Sequence, residues 1–140
     1  LGATITDAKT LLRESDVISN HMNLTAENRH FFDDAGFAAM EKHPIFLNVS
    51  RGGSVDEAAL VRALDNGLIR AAGLDVLEAE KPDLENCALI GRENVILTPH
   101  AAFYSARSIE ALQRMSCHNL TDCLTGNRAH AFKIVNGVSI

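Results

Sequence analysis

Several features are scarce or missing in this sequence, and each shortage narrows what the chain can be. Its three cysteines, Cys87, Cys117 and Cys123, form no C-x-x-C pair and leave an odd number. That argues against a disulfide framework and a zinc site, and fits a reducing cytoplasm. The histidines, His21, His30, His43, His100, His118 and His130, include no H-x-x-x-H pair, so a helical metal site of that spacing is absent. Positive charge is in deficit: 13 Lys and Arg against 18 Asp and Glu leave a net charge of −5. Non-specific binding to nucleic acid or to an anionic membrane, which rests on clustered cations, is therefore not expected. No apolar run approaches the ~18 residues of a membrane span, and LGATITDAKTLL lacks the basic flank and apolar centre of a signal peptide. Neither Ser50 nor Ser54 lies in a G-x-S-x-G elbow, which removes a serine hydrolase. The nine glycines include no G-x-G-x-x-G, the loop that holds a dinucleotide pyrophosphate at a helix N-terminus. No initiator Met precedes Leu1, so the chain is expected to be a piece of a longer one.

What is present is a globular composition, 46% apolar and 22% charged over 140 residues, about one domain. The pattern alternates. DAKTLLRE (7–14) predicts a short amphipathic helix, SDVISNHM (15–22) a strand, DDAGFAAMEK (33–42) a helix and IFLNVS (45–50) a strand. VDEAALVRALDNG then places Val55, Leu60, Val61 and Leu64 near one helical face, with Asp56 and Glu57 in the first turn and Gly67 as the stop. AAGLDVL (71–77) and NVILTPH (94–100) predict two further strands, separated by the charged, irregular loop 78–87. A long helix follows from about Ser105 to Leu124, closed by Gly126. Strand and helix in alternation describe an α/β fold with a parallel sheet. The continuous apolar runs in IFLNV and NVIL predict strands buried on both faces.

In open parallel sheets ligands bind beyond the carboxyl ends of the strands. His21, Met22 and Asn23 end the first strand, Ser50, Arg51 and Gly52 the second, Asp75 the third and Thr98, Pro99 and His100 the fourth, with Glu78 and Glu80 just past Asp75. Taken singly, Arg51 reads as a strand cap, Glu80 as a solvated loop carboxylate and His100 as a satisfied histidine. A cation, carboxylates and an imidazole on one rim make a set suited to a 2-hydroxy or 2-oxo acid. An arginine fork can hold the carboxylate with paired hydrogen bonds. An imidazole can deliver the proton that carbonyl reduction needs, and a carboxylate on its other nitrogen would orient it and favour its charged form. Arg51, His100 and Glu80 fit those roles in turn.

NVSRGGSVDEAAL (48–60), AGLDVLEAE (72–80) and NVILTPHAA (94–102) closely resemble three motifs of the D-2-hydroxyacid dehydrogenase family, in the family's order. The similarity runs from about Ser15 to Ser105, and HAAFYS (100–105) is particularly similar to the family's C-terminal-binding protein branch of corepressors. The resemblance implies Arg51 as the substrate-carboxylate arginine, Glu80 as the carboxylate paired with the histidine, and His100 as the proton donor and acceptor. It implies Asp75 beside the nicotinamide of NAD, with Met22, Asn23, Asn28, Val49, Ser50, Arg51, His100 and Phe103 in segments lining that pocket. Glu78 falls out of the family's register. Lys81 separates Glu80 from Pro82 where the family has E-P, Asn23 stands where many members have proline, and Ser50 and Ser54 replace commoner apolar residues.

The resemblance implies a Rossmann-like half domain: residues 1–104 as the C-terminal part of a dinucleotide-binding domain, and 105–140 as a crossover helix and tail leading to a substrate domain. It implies an NAD-dependent oxidoreductase acting on a D-2-hydroxy acid, or alternatively an NAD(H)-sensing interaction protein of the corepressor type. Without the pyrophosphate loop, the isolated chain is expected to be inactive. Arg51 is expected to await a substrate carboxylate, and the adjacent glycines to let the backbone turn beside the cofactor. A homodimer is expected, because 15–22 forms an edge strand. Val17 and Ile18, on opposite sheet faces, both lose cover, and the long helix exposes Ile109, Leu112 and Leu120.

Overall fold

Each helix begins where a short polar side chain can take up its first free N–H groups, and the strands fill the intervals. The computed structural model describes residues 2–127. The expected tail as far as 140, with His130, lies outside the described residues. The chain divides into two compact units, residues 1–102 and 103–140.

In the first unit α1 (Ala8–Glu14) is capped by Asp7, whose carboxylate accepts from the Thr10 amide. β1 (Val17–Asn20), α2 (Asp34–Ala38, capped by Asp33) and β2 (Ile45–Asn48) follow. A single 3-10 turn (Gly52–Ser54) leads into α3 (Glu57–Asp65), capped by Asp56. β3 (Ala71–Leu74) and β4 (Val95–Leu97) complete a four-stranded sheet in the order β1-β2-β3-β4. Every pairing is parallel, with Ile18 beside Phe46, Phe46 beside Ala72 and Ala72 beside Val95. The expected α/β parallel sheet is therefore present. The strands are shorter than the apolar runs, because the polar ends of SDVISNHM and NVILTPH have left the ladder.

The sheet is buried on one face. Ile18, Asn20, Phe46, Asn48, Ala72 and Leu74 point into a core with Phe32, Phe37, Leu60, Ala63, Leu64 and Ile69. The rings of Phe32 and Phe37 meet Phe46 edge-on, with centroids 4.8 and 5.4 Å apart. The alternate positions remain open: Val17 is 54% and Ile96 71% exposed, and Ile45 and Leu47 are half-buried. This corrects the expectation of burial on both faces, and with it the expectation that Ile18 is uncovered. A continuous apolar run reports only that no position carries a charge; α2 and α3 supply cover to one face alone. On α3 the inward side is made by Ala59, Leu60, Ala63 and Leu64, and Val61 is half-buried at its margin.

In the second unit α4 (Ala106–Leu124) is capped by Ser105, whose hydroxyl accepts from the Ser108 amide at 3.1 Å, and none of its residues is buried.

Candidate active site

A cavity of about 680 Å³ opens beyond the carboxyl ends of β3 and β4, against the turn that follows β2. Arg51, Asp75, Glu78, Glu80 and His100 all line it, with an apolar wall from Leu24, Leu77, Leu89 and Leu97. The parallel sheet accounts for this convergence: it brings all the strand exits to one edge, so residues as distant in sequence as Arg51 and His100 share a rim.

Asp75 sits one residue past β3 and is 3% exposed. Its Oδ1 accepts from the Thr98 hydroxyl and from the Ala101 amide at 2.8 Å, and its Oδ2 from the Ala102 amide at 2.8 Å. Burial pushes this carboxyl's pKa up. The Thr98 hydroxyl, the Ala102 and Ala101 amides and the nearby His100 together outweigh burial and hold it below the ordinary value. Both oxygens are thus committed to the loop that carries His100. His100 itself has φ 53°, in the left-handed region, and its N–H donates to the Thr98 carbonyl at 3.0 Å. Such a conformation in a residue other than glycine persists where its surroundings hold it. Here Asp75 grips the chain on both sides of the imidazole.

Arg51 is exposed at the cavity wall, and its Nη1 donates to the Ser50 carbonyl at 2.9 Å. Among the described residues no carboxylate lies within 4.0 Å of its guanidinium. The chain's own packing requires the glycine at position 52. A Cβ there would stand 1.8 Å from the Leu77 carbonyl oxygen, so Gly52 lets the chain after β3 press against this turn.

Glu78 also lines the cavity, but it is tied down. Its Oε1 accepts from Arg29 Nη2 at 2.9 Å and lies 2.6 Å from His30 Nε2, while its amide donates to Glu57. Glu80 is exposed and lines the same cavity as His100. Met22, Asn23, Asn28, Val49 and Ser50 do not line the cavity. Asn28 organises the loop after β1 by donating to the Asn23 carbonyl at 2.6 Å, and Ser50 donates to the Met22 carbonyl. Phe103 belongs to the second unit, where its ring lies edge-on to Tyr104 at 5.9 Å. Among the described residues no group of three His, Cys, Asp or Glu side chains could hold a metal ion.

Three residues without a role in the sequence reading stand directly behind Arg51: Asn20, Asn48 and Ser54, all buried. Strand parity held the clue. Asn20 shares a sheet face with Ile18 and Asn48 with Phe46, so both amides had to be buried and bonded.

Comparison with known proteins agrees with this geometry. The sequence profile described as "D-isomer specific 2-hydroxyacid dehydrogenase, NAD binding domain" matches residues 1–102. The chain is 42% identical over 120 residues to a glyoxylate reductase of Aeropyrum pernix, covering 86% of this chain and 36% of that protein. It is 40% identical to glyoxylate/hydroxypyruvate reductase B of Klebsiella pneumoniae, covering 86% and 37%. The crystal structure of D-lactate dehydrogenase with NAD+ from Lactobacillus jensenii superposes with a TM-score of 0.82 at 34% identity, over 92% of this chain and 42% of that one. The chain therefore spans well under half the length of these relatives. They are reductases and a dehydrogenase, and they lend no support to the narrower likeness of HAAFYS to the corepressor branch. Motif order, parallel topology and the strand-end cavity converge with the profile match: this chain belongs to the D-isomer specific 2-hydroxyacid dehydrogenase family, through its NAD-binding domain.

Proposed function

We propose that this chain carries the acid–base and carboxylate-binding half of an NAD-dependent oxidoreductase that interconverts a D-2-hydroxy acid and its 2-oxo acid. The observation that carries the reading is the single cavity lined by Arg51, Asp75, Glu80 and His100 at the carboxyl ends of parallel strands. Arg51, without a carboxylate partner among the described residues, holds the substrate carboxylate through its fork. His100 donates a proton to the carbonyl oxygen during reduction and takes it back during oxidation. Glu80, which lines the same cavity, supports the imidazole as it carries the proton. Asp75 keeps the His100 loop in place through Thr98, Ala101 and Ala102. NADH, when bound, supplies the hydride.

The residues present fit one end of that cofactor. An apolar wall beside a cation and an imidazole suits a nicotinamide ring next to a small acid. No G-x-G-x-x-G occurs in the sequence to hold the pyrophosphate. Residues 1–104 accordingly act as the C-terminal part of a dinucleotide-binding domain, with the segment from 105 leading toward a substrate domain. The open sheet face at Val17, Ile45, Leu47 and Ile96, and the unpaired side of β1, favour a homodimer. Free Cys87, Cys117 and Cys123 favour a cytoplasmic setting. Among the described residues no helix is long and apolar enough to cross a membrane.

The test is NADH oxidation, followed at 340 nm, by the complete polypeptide that carries this chain, on addition of glyoxylate, hydroxypyruvate or pyruvate. Oxidation dependent on the 2-oxo acid supports the proposal. NADH binding with no turnover on any 2-oxo acid would move the protein to the sensing class instead.

A further inference from the structure

Behind Arg51, at the ends of β1 and β2, the three buried polar side chains form a closed set. Asn20 and Asn48 are 2% and 1% exposed, and Ser54 is fully buried. Asn20 Nδ2 donates to Asn48 Oδ1 at 3.0 Å and to Ser54 Oγ at 2.7 Å, while Asn20 Oδ1 accepts from the Met22 amide at 3.0 Å. The single Ser54 proton goes to the Arg51 carbonyl at 2.7 Å, where Asn48 Nδ2 also donates at 3.1 Å. Asn48 Oδ1 takes the Ser50 amide at 3.2 Å. The Met22 amide fixes which end of the Asn20 amide is oxygen, and every later donor then has one direction.

These bonds converge on one short stretch of backbone. The Ser50 N–H and the Arg51 C=O are both fixed from behind, and the Ser50 C=O is the acceptor that holds the guanidinium itself. Stability alone does not call for this arrangement, since apolar side chains of similar shape can replace a buried bonded pair at little cost. What a fully satisfied polar set adds is a single orientation.

We infer that Asn20 and Ser54 are positioning residues for Arg51, holding its peptide so that the guanidinium meets the substrate carboxylate in one pose. The inference rests on the carboxylate-binding role proposed above. Substrate reaches Arg51 from the cavity, and the two positioning side chains act from the opposite, buried side.

The experiment compares the complete protein with Ser54→Ala and with the double variant Asn20→Leu/Ser54→Val. The double removes both polar partners and refills the space; Ser54→Ala only subtracts atoms and keeps the test alive should the double not fold. Two readouts are needed. One is the order of the Arg51 Nε–H by 15N relaxation without ligand; the other is oxamate affinity, with KM and kcat for the 2-oxo acid. The expected result is lost order at Arg51, oxamate binding and KM weakened roughly tenfold or more, and kcat within about twofold. A purely structural role would leave Arg51 ordered and KM unchanged in every folded variant, and that result overturns the inference. If the wild type neither binds oxamate nor reduces a 2-oxo acid, yet Arg51 loses order in the variants, the positioning stands and the proposed function falls.

Discussion

Replacing Asp75 with asparagine probes the link between the sheet and the proposed proton donor. The native carboxylate accepts three bonds: the Thr98 hydroxyl and the Ala101 amide on Oδ1, and the Ala102 amide on Oδ2. An amide has one oxygen. Placed at Oδ1, it keeps two of these bonds and sets its NH2 against the Ala102 N–H, donor facing donor at 2.8 Å. Turned the other way, the same conflict falls on Ala101; the Thr98 hydroxyl can reverse, but a backbone N–H cannot. One charge-assisted bond is lost in either pose, about 1.5–3 kcal/mol, and a backbone N–H is left facing a donor. Asp75→Asn should therefore cost roughly 2–4 kcal/mol, seen in urea as a lower midpoint with unchanged m. The loss should concentrate at the His100 loop, so the Ala101 and Ala102 amides should exchange with deuterium far faster than the core. The effect also depends on pH. Asp75 is held below its ordinary 3.8, so its stabilisation is full above that value and fades as pH falls through the depressed one. The gap between wild type and variant should close only in that acid range. A loss under 0.5 kcal/mol, with Ala102 still protected, would refute the bracing role of Asp75.

Further substitutions separate the remaining contacts. Gly52→Ala would drive a Cβ into the Leu77 carbonyl and should cost about 3 kcal/mol or more, whereas Gly53→Ala meets the ends of two movable side chains, Leu24 at 2.9 Å and Arg29 at 3.3 Å. Equal denaturation midpoints for the two would show that the turn and the chain after β3 do not press together. Glu80→Gln should lower turnover roughly tenfold or more, while Glu78→Gln, whose carboxylate already serves Arg29 and His30, should leave it within a few-fold. The reverse order would mean that Lys81 has shifted the register of this loop. Sedimentation of the chain at micromolar concentration should find dimers, which an Ile96→Lys change on the open sheet face weakens. A monomer in both cases would remove the homodimer.

The fold was legible where local chemistry and period agree. Asp56 before EAALVRALD, with Gly67 after it, marks α3 to within two residues, because caps and stops act on the nearest N–H and C=O groups. The rim was legible too: in a parallel sheet the residues following each strand arrive at the same edge, so Arg51, Asp75 and His100 could be gathered from strand order alone. What the sequence did not disclose depended on partners far along the chain. The one-sided burial of the sheet follows from where α2 and α3 lie, and the runs IFLN and VIL carry no mark of it. Gly52 looked like a turn glycine, and only the passage of Leu77 explains it. Ser54 stood out as a departure from the family, yet its meaning required Asn20, 34 positions away. The commitment of both Asp75 oxygens to the His100 loop was likewise invisible, since backbone amides leave no trace in a sequence.

The most direct test of the account is steady-state 2-oxo acid reduction by the complete protein as wild type, Arg51→Lys and His100→Ala. If Arg51 holds the carboxylate and His100 delivers the proton, the two changes separate in the kinetics. Arg51→Lys, whose ammonium cannot reproduce the planar fork, should act chiefly on KM. His100→Ala should lower kcat by roughly 100-fold or more, the usual scale for a lost general acid. Unchanged kcat in His100→Ala, or an Arg51→Lys enzyme with wild-type KM, would contradict the assignment of this cavity as the place where the acid is held and protonated.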